Sequence, residues 1–177
     1  MKRDAIDELF DYTEFAWAMI GQTVASLPGG SLTKPVDGSG WPSMREAFMH
    51  VIGATDGWLH RTLEYGGLIN PAPESMTQWA DFDAYHRTTR ATFRRILDQT
   101  PDDRLYQTHT RVYDEEDGPE TMSLAEILAN LLLHERGHHG DISTLIYQLG
   151  GEPPALDYRQ YVYLKRNPAS PFRPRGW

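Results

Sequence analysis

Two histidines one helical turn apart are the residues of this sequence best suited to metal chemistry. His134 and His138 lie four positions apart in a leucine-rich segment, and a third histidine, His50, lies in another helix-period segment. Side chains at positions i and i+4 of a helix project from one face about 6 Å apart, so two imidazoles can share one ion. The three histidines together predict a metal site with one open coordination position, which is typical of catalytic rather than structural zinc-type centres.

Both segments place these histidines among apolar residues. His134 and His138 interrupt a stripe that advances by threes and fours, formed by Leu124, Ile127, Leu128, Leu131, Ile142, Leu145 and Leu149. His50 shares a similar stripe with Met44, Ala47, Val51, Ala54 and Trp58. Because such a stripe faces the protein interior, we expect all three imidazoles to point inward. A lone buried histidine is more often hydrogen-bonded to a neighbour, whereas three together favour a shared ion that satisfies one nitrogen of each ring.

Four helix-period segments supply the framework for these residues. They run from about Asp4 to Leu27, Ser43 to Tyr65, Thr77 to Gln99 and Ser123 to Leu149. The serines that begin the second and fourth segments each precede a glutamate by three positions, which is the capping-box pattern of a helix start. Four amphipathic helices of this length predict an all-α protein, an up-down four-helix bundle with long loops, and sites in such bundles are built from facing helices.

The remaining segments carry weaker signals. Residues Leu105 to Tyr113 alternate as strands do, and Asp117-Gly118 is a turn signal, so a short hairpin is compatible with this stretch. Residues 152–177 contain five prolines and show no sustained helical stripe. We therefore expect one four-helix-bundle domain over residues 1–151, followed by an extended, irregular C-terminal segment over residues 152–177 that packs on the bundle or on a partner subunit.

Composition narrows the classes of function. The sequence has no cysteine, so a disulfide framework, a thiolate metal site and a thiol nucleophile of this chain are excluded. The net charge of −8 argues against nucleic-acid binding, because only residues 159–177, with five basic and no acidic residues, offer a basic face. No apolar run approaches transmembrane length, and the N-terminus turns acidic where a signal peptide would be apolar. We expect a cytoplasmic protein with no membrane span and no nucleic-acid partner.

The chain resembles the DinB-like family, damage-inducible four-helix-bundle proteins with a three-histidine metal centre. The resemblance covers residues 1 to about 150 and rests on His50 followed by the segment His134-Glu135-Arg136-Gly137-His138-His139-Gly140-Asp141-Ile142. The usual family form of this segment is close to His-x-x-x-His-Arg-Gly-Gln-Ile, so His50, His134 and His138 match the three metal ligands. His139 and Asp141 stand where the family usually has arginine and glutamine, and no role is carried over to them.

The resemblance implies a divalent metal, commonly zinc or nickel, and often a homodimer. Characterised relatives perform thiol-dependent transferase or isomerase chemistry with bacillithiol, mycothiol or glutathione. We therefore expect an enzyme in which the ion on the three histidines activates a thiol or water to attack a small-molecule electrophile. A metal-dependent hydrolase and a non-catalytic metal-containing stress-response module share the same site and stay open. A di-iron carboxylate centre fails on count, because it requires two Glu-x-x-His motifs and two further inward glutamates.

The neighbours of the predicted ligands have narrower predictions. Asp141 shares the ligand face one turn along, where it can orient an imidazole, act as a catalytic general base or lie at the rim. Gly137 leaves room for a substrate beside the ligands. Glu135 and His139 are turned about 100° away, so we expect them at the flank or surface. Among the other aromatic and histidine side chains we expect Trp17, Trp58 and Tyr85 in the core and His60, His86 and His109 in solvent.

Overall fold

The computed structural model describes residues 1–112 and 118–177. Over these residues the chain is mostly helical, with five α-helices and one two-stranded antiparallel sheet. The elements in chain order are α1 (Arg3–Ala25), α2 (Met44–Gly57), α3 (Trp79–Gln99), β1 (Thr108–Val112), β2 (Pro119–Ser123), α4 (Leu124–Gln148) and α5 (Tyr158–Arg166). A π-helical turn, Trp58–Thr62, extends α2. Throughout this described part, each helix is either too short or too polar to cross a membrane.

Local hydrogen bonds explain where the two histidine-bearing helices begin. At α4 the predicted capping box forms: the Ser123 hydroxyl accepts from the Glu126 N–H at 3.3 Å, and the Glu126 carboxylate accepts from the Ser123 N–H at 2.7 Å. At α2 only half of the predicted box forms. The Ser43 hydroxyl accepts from the Arg45 N–H, but the Glu46 carboxylate accepts from the Ser43 hydroxyl and the Arg45 guanidinium instead of the backbone. Both helices begin directly after the predicted capping serine.

The four long helices enclose two apolar clusters with a polar layer between them. α1 and α2 each pack against both α3 and α4. One cluster surrounds Phe48 and Phe82, and the other surrounds Phe93 and Leu128. On α1, α3 and α4 the residues between these clusters are polar although they are buried, namely Thr13, His86, Thr89, Arg90, Glu135 and His139. The polar layer therefore lies at the level of the predicted metal ligands on α4.

The predicted hairpin is present and leads the chain into α4. Thr108 pairs with Ser123 and Val112 pairs with Pro119 in an antiparallel register. Gly118, at the start of the second strand, has a φ of +74°, which glycine adopts at no steric cost. Asp117 of the predicted turn and Tyr113 at the end of the predicted strand lie outside the described residues.

The prediction of an irregular segment over residues 152–177 is wrong, because this segment contains α5. The Asp157 side chain caps the helix by accepting from the Gln160 N–H at 3.0 Å. Tyr161 and Leu164, three positions apart, are fully buried against aromatic side chains of α1. Two buried positions suffice to hold a helix of nine residues, which is too short to produce a sustained stripe in the sequence.

Candidate metal centre

The three histidines predicted as ligands meet between two helices that pack against each other. His50 lies on α2, and His134 and His138 lie one turn apart on α4. The Nε2 atom of His134 is 3.2 Å from that of His50 and 3.1 Å from that of His138. Within residues 1–112 and 118–177, these three form the one candidate group of three or more His, Asp or Glu side chains whose ligand atoms all lie within 4.8 Å of one another. The structure thus brings together all three residues singled out from the sequence.

The distances between the imidazole nitrogens match the dimensions of a tetrahedral metal site. Zinc–nitrogen bonds of about 2.0–2.1 Å at tetrahedral angles hold two nitrogen ligands about 3.3 Å apart. The two Nε2 separations, 3.2 and 3.1 Å, differ from that value by 0.2 Å or less. Three neutral nitrogen donors suit zinc, nickel, copper or iron in the divalent state. The donor set therefore fits a single divalent ion bound through three Nε2 atoms.

The expectation that these histidines point into the core is wrong. His50 is exposed, and His134 and His138 are half-buried. The buried line of α4 instead runs through Leu128, Leu132, Glu135, His139, Ile142 and Ile146, all at most 1% exposed. This line also advances by threes and fours, one position out of step with the predicted stripe in the middle of the helix. The three imidazoles consequently lie at the surface between α2 and α4, where solvent reaches them.

Asp141 contacts one of the three histidines and a tryptophan from the loop before α2. Its Oδ2 atom is 2.8 Å from Nδ1 of His138 and accepts a hydrogen bond from the indole N–H of Trp41 at 3.1 Å. The Trp41 ring lies 5.0 Å from the His50 ring and 5.5 Å from the His138 ring, centroid to centroid. Of the roles considered for Asp141, the geometry matches that of orienting an imidazole: a carboxylate on Nδ1 leaves Nε2 free to bind a metal.

The electrostatic environment favours the protonation states that bind metal. Partial burial, together with the neighbouring His138, lowers the pKa of His50. Burial, His138 and His50 lower the pKa of His134 in the same way. Burial would raise the pKa of Asp141, but its hydrogen bonds from His138 and Trp41 outweigh that effect and lower it. His50 and His134 are therefore neutral and Asp141 is ionised near neutral pH, as a metal site requires.

Glu135 and His139, expected at the flank or surface, are instead in the centre of the protein. They are 1% and 0% exposed, and His86 of α3, expected in solvent, is 2% exposed. Oε1 of Glu135 lies 3.4 Å from Nε2 of His86 and 3.5 Å from Nε2 of His139. Glu135 is buried because α3 presents a buried cation to it. This cation is Arg90, whose guanidinium lies 3.3 Å from the other Glu135 oxygen. A buried carboxylate is tolerated where such a partner exists.

Arg90 links this interior cluster to α1. Its guanidinium donates to the Glu14 carboxylate at 2.6 Å and to the Thr13 hydroxyl at 2.6 Å, and lies 3.9 Å from the centre of the Phe10 ring. Burial would raise the pKa of Glu135, but Arg90 and the two histidines hold it well below its usual range. The cluster has the character of a buried ion pair with hydrogen-bonding neighbours rather than that of a second metal site.

The remaining residues considered from the sequence have mixed outcomes. Trp17 and Tyr85 are buried as predicted, whereas Trp58 is only partly buried. His60 and His109 are partly buried as well. Gly137 is exposed beside the ligands, and a Cβ at this position would have no atom within 4 Å. That open space agrees with the prediction that Gly137 leaves room at the site.

The sequence of this chain matches the model of a known protein family. The model of the DinB family matches residues 1–171. The chain belongs to the DinB family. No curated protein matches its sequence.

The DinB match extends past the part of the chain that carries the histidines. It contains every helix from α1 to α5, including the C-terminal α5 that packs on α1. DinB membership and the cluster of three histidines together indicate a metal-binding protein.

Proposed function

We propose that this DinB-family protein is an enzyme that holds zinc or nickel on His50, His134 and His138 and uses it to activate a low-molecular-weight thiol. The thiol, of the bacillithiol, mycothiol or glutathione type, is transferred to a small electrophilic substrate. The observation that carries the proposal is the meeting of three Nε2 atoms from two helices at metal-site distances. Three protein ligands leave a position for a reactant, as in catalytic rather than structural sites.

The residues of the chain set the electrostatics of this site. A divalent ion supplies Lewis acidity there, which lowers the pKa of a thiol or water. His50 and His134 stay neutral, so the ligands do not offset the charge of the ion and an anionic reactant is favoured. Asp141 keeps a proton on Nδ1 of His138 and so presents the Nε2 lone pair of that ring to the ion.

The surroundings of the three histidines support access for a small molecule. Trp41 forms an apolar wall beside His50 and His138. Gly137 lacks a side chain on the exposed face of α4 between the two α4 ligands. We propose that the substrate lies against the Trp41 indole, since a flat aromatic face binds apolar or planar groups well.

One observation favours hydrolysis as a second candidate. Both hydrogen bonds to Asp141 use Oδ2, and within the described residues no hydrogen bond to Oδ1 is formed. The Asp141 side chain is 45% exposed, and its lowered pKa keeps it in the basic form. Asp141 can then act as a general base on a water molecule through Oδ1. This assigns Asp141, the predicted catalytic residue, a direct role only in the hydrolytic reaction.

The proposal includes the architecture that positions the site. We propose that α1 to α4 form an up-down four-helix bundle, in which α2 and α4 are neighbours and present the ligands at their shared groove. The packing of α1 and α2 against both α3 and α4 supports this arrangement. Sites in helix bundles are commonly built from side chains on facing helices in this way.

The test combines metal analysis with turnover. Protein purified without added ions should contain about one equivalent of a divalent metal, and His50→Ala should contain almost none. Wild-type protein loaded with zinc or nickel is then mixed with each of the three thiols and a panel of electrophiles. His138→Ala should abolish turnover, whereas the matched variant His109→Ala, on β1, should retain it.

The outcomes separate the candidate functions. Thiol-dependent turnover that requires His138 supports the transferase. Turnover without thiol that falls in Asp141→Asn supports the hydrolase. Equal metal content in wild type and His50→Ala would refute the site, and tight small-molecule binding without turnover would identify a non-catalytic module.

A further inference from the structure

A cavity lies away from the three histidines. It has a volume of about 1130 Å³ and opens between α1, the start of α3 and residues 171–177. None of His50, His134 and His138 lines it. The volume is slightly above the usual range of small-molecule sites, about 300–1,000 Å³, which are mostly apolar with a few placed polar groups. The cavity is therefore a candidate binding site separate from the metal centre.

One wall of the cavity is formed by aromatic rings that pack against a buried histidine. Trp17 and Trp79 pack with their ring centroids 4.9 Å apart, and the buried His86 ring stacks on Trp17 at 3.8 Å. Trp177 forms part of the lining from the C-terminal segment. Flat aromatic faces of this kind bind planar ligands by stacking.

Gly21 is the residue that lets Trp79 lie against α1. It is buried in the interior of the helix, where glycine is disfavoured relative to alanine. A Cβ at this position would be 2.6 Å from the Trp79 ring, closer than carbon atoms can approach. Any larger side chain at this position would push the indole into the cavity, so Gly21 keeps the wall flat.

The charges around the cavity leave a cation unpaired. Of the two acids in the lining, Asp83 pairs with Arg87 at 2.9 Å and Glu14 pairs with Arg90 at 2.6 Å. Arg175 also lines the cavity and is exposed, and over the described part of the chain it forms no ion pair or hydrogen bond.

A second arginine of the lining strengthens this cationic character. The Arg173 guanidinium donates to oxygens of Leu164 and Trp177, lies 4.3 Å from the centre of the Trp177 ring, and pairs with no Asp or Glu side chain among the described residues. The cavity thus has a cationic edge in a protein whose net charge is −8. An anionic group on a ligand would find its complement at this edge, because arginine binds carboxylates through paired hydrogen bonds.

We infer that this cavity binds a small planar aromatic anion, an aromatic carboxylate. Its ring lies against Trp79, and its carboxylate meets Arg175. The inference does not rest on the proposed enzymatic function, because the two sites share no residue.

The probe for this site is 2-naphthoate, with its neutral analogue 2-naphthamide as the matched ligand. Isothermal titration of the full chain should give one naphthoate site with an affinity about five- to tenfold higher than for naphthamide, since an exposed charge contributes modestly. Arg175→Gln should lower naphthoate affinity to the naphthamide level and leave naphthamide binding unchanged. Gly21→Ala should weaken both ligands by displacing Trp79, in a protein that circular dichroism shows to be folded.

Three results would overturn the inference. The first is no heat of binding with naphthoate on the order of millimolar concentration. The second is loss of naphthoate binding in metal-free His134→Ala, which would locate the ligand at the histidine cluster. The third is equal affinity for naphthoate and naphthamide, or an unchanged affinity in both Arg175→Gln and Gly21→Ala.

Discussion

Helix α4 carries two polar pairs of identical spacing in opposite environments. His134 and His138 occupy the groove beside α2, where they are half-buried and meet His50. Glu135 and His139, each one position further along, are in the interior against His86 and Arg90. The step of one residue is a rotation of about 100° around the helix axis. Spacing alone therefore does not assign a function to a pair of side chains; what faces the pair does.

The carboxylate of the interior pair has its counter-ion within the chain, although both ring nitrogens of His139 lack a hydrogen-bond partner among the described residues. The charge of Glu135 is compensated by Arg90, as a buried ion requires. In the groove the three Nε2 atoms face one another, and no side chain in residues 1–112 or 118–177 is shown to place a cation between them. A site of this second kind is satisfied by a ligand from solution.

The largest contrast expected between the two pairs is in metal content. His134→Ala should reduce bound metal from about one equivalent to near zero, because its Nε2 lies within 3.2 Å of both other donors. His139→Ala changes the interior pair and should keep the metal. Elemental analysis of both purified variants measures the effect, and equal metal in the two would abolish the distinction.

Stability should show the reverse contrast. Glu135→Ala removes one of the two carboxylates that pair with buried Arg90 and leaves Glu14 as the other, so we expect the free energy of unfolding to fall by about 2–3 kcal/mol. His134→Ala in metal-free protein should cost about 1 kcal/mol or less, because the side chain is half exposed. Urea denaturation of metal-free samples measures both values. A cost for His134→Ala as large as that for Glu135→Ala would contradict the assignment.

The carboxylates of Asp141 and Glu135 should each affect a different property of the protein. Asp141→Asn removes the negative charge of the carboxylate beside Nδ1 of His138 and should weaken metal binding about 10- to 100-fold, with little change in stability. Glu135→Gln should leave metal affinity near the wild-type value. Competition with a chelator of known affinity gives both numbers. A metal affinity that Asp141→Asn leaves unchanged would show that Asp141 does not orient the ligand.

The smallest expected effect is in the dependence of stability on pH. The pKa of Glu135 in the folded protein lies well below its ordinary value of 4.5, because Arg90 and the two histidines outweigh the effect of burial. The contribution of ionised Glu135 to the free energy of unfolding is thus present above about pH 4.5, and it is lost as the pH falls through the pKa of the folded state. Urea midpoints measured from neutral to acidic pH should fall more steeply for wild type than for Glu135→Gln. Parallel curves would mean that the interior carboxylate is not depressed.

The sequence predicted those features that are determined locally. The serine caps placed the starts of α2 and α4, and the spacing of His134 and His138 with His50 predicted the cluster. Burial was not predictable in the same way, because the line through His134 and His138 and the line through Glu135 and His139 both advance by threes and fours. The choice between them depends on Arg90 and His86 of α3, and one sequence does not say which helices face each other.

The helix in the C-terminal segment could not be predicted for a different reason. The prolines that flank α5 suggested an irregular chain, and the helix buries only Tyr161 and Leu164, so its periodicity is brief. The aromatic cavity follows from the same fold-back, since Trp177 joins Trp17 and Trp79 in its lining only once α5 has packed on α1. Features made by contacts between distant segments have no local signal.

The ion pair between Arg90 and Glu135 also fixes the angular position of α4. Turning the helix by one residue would carry the carboxylate away from its cation and bring an imidazole into its place, at the cost of a buried unpaired charge. The pair thus holds α4 in one rotational position about its own axis. The direction in which His134 and His138 point is consequently set from another face of their own helix, about 100° away, through the contact of Glu135 with Arg90.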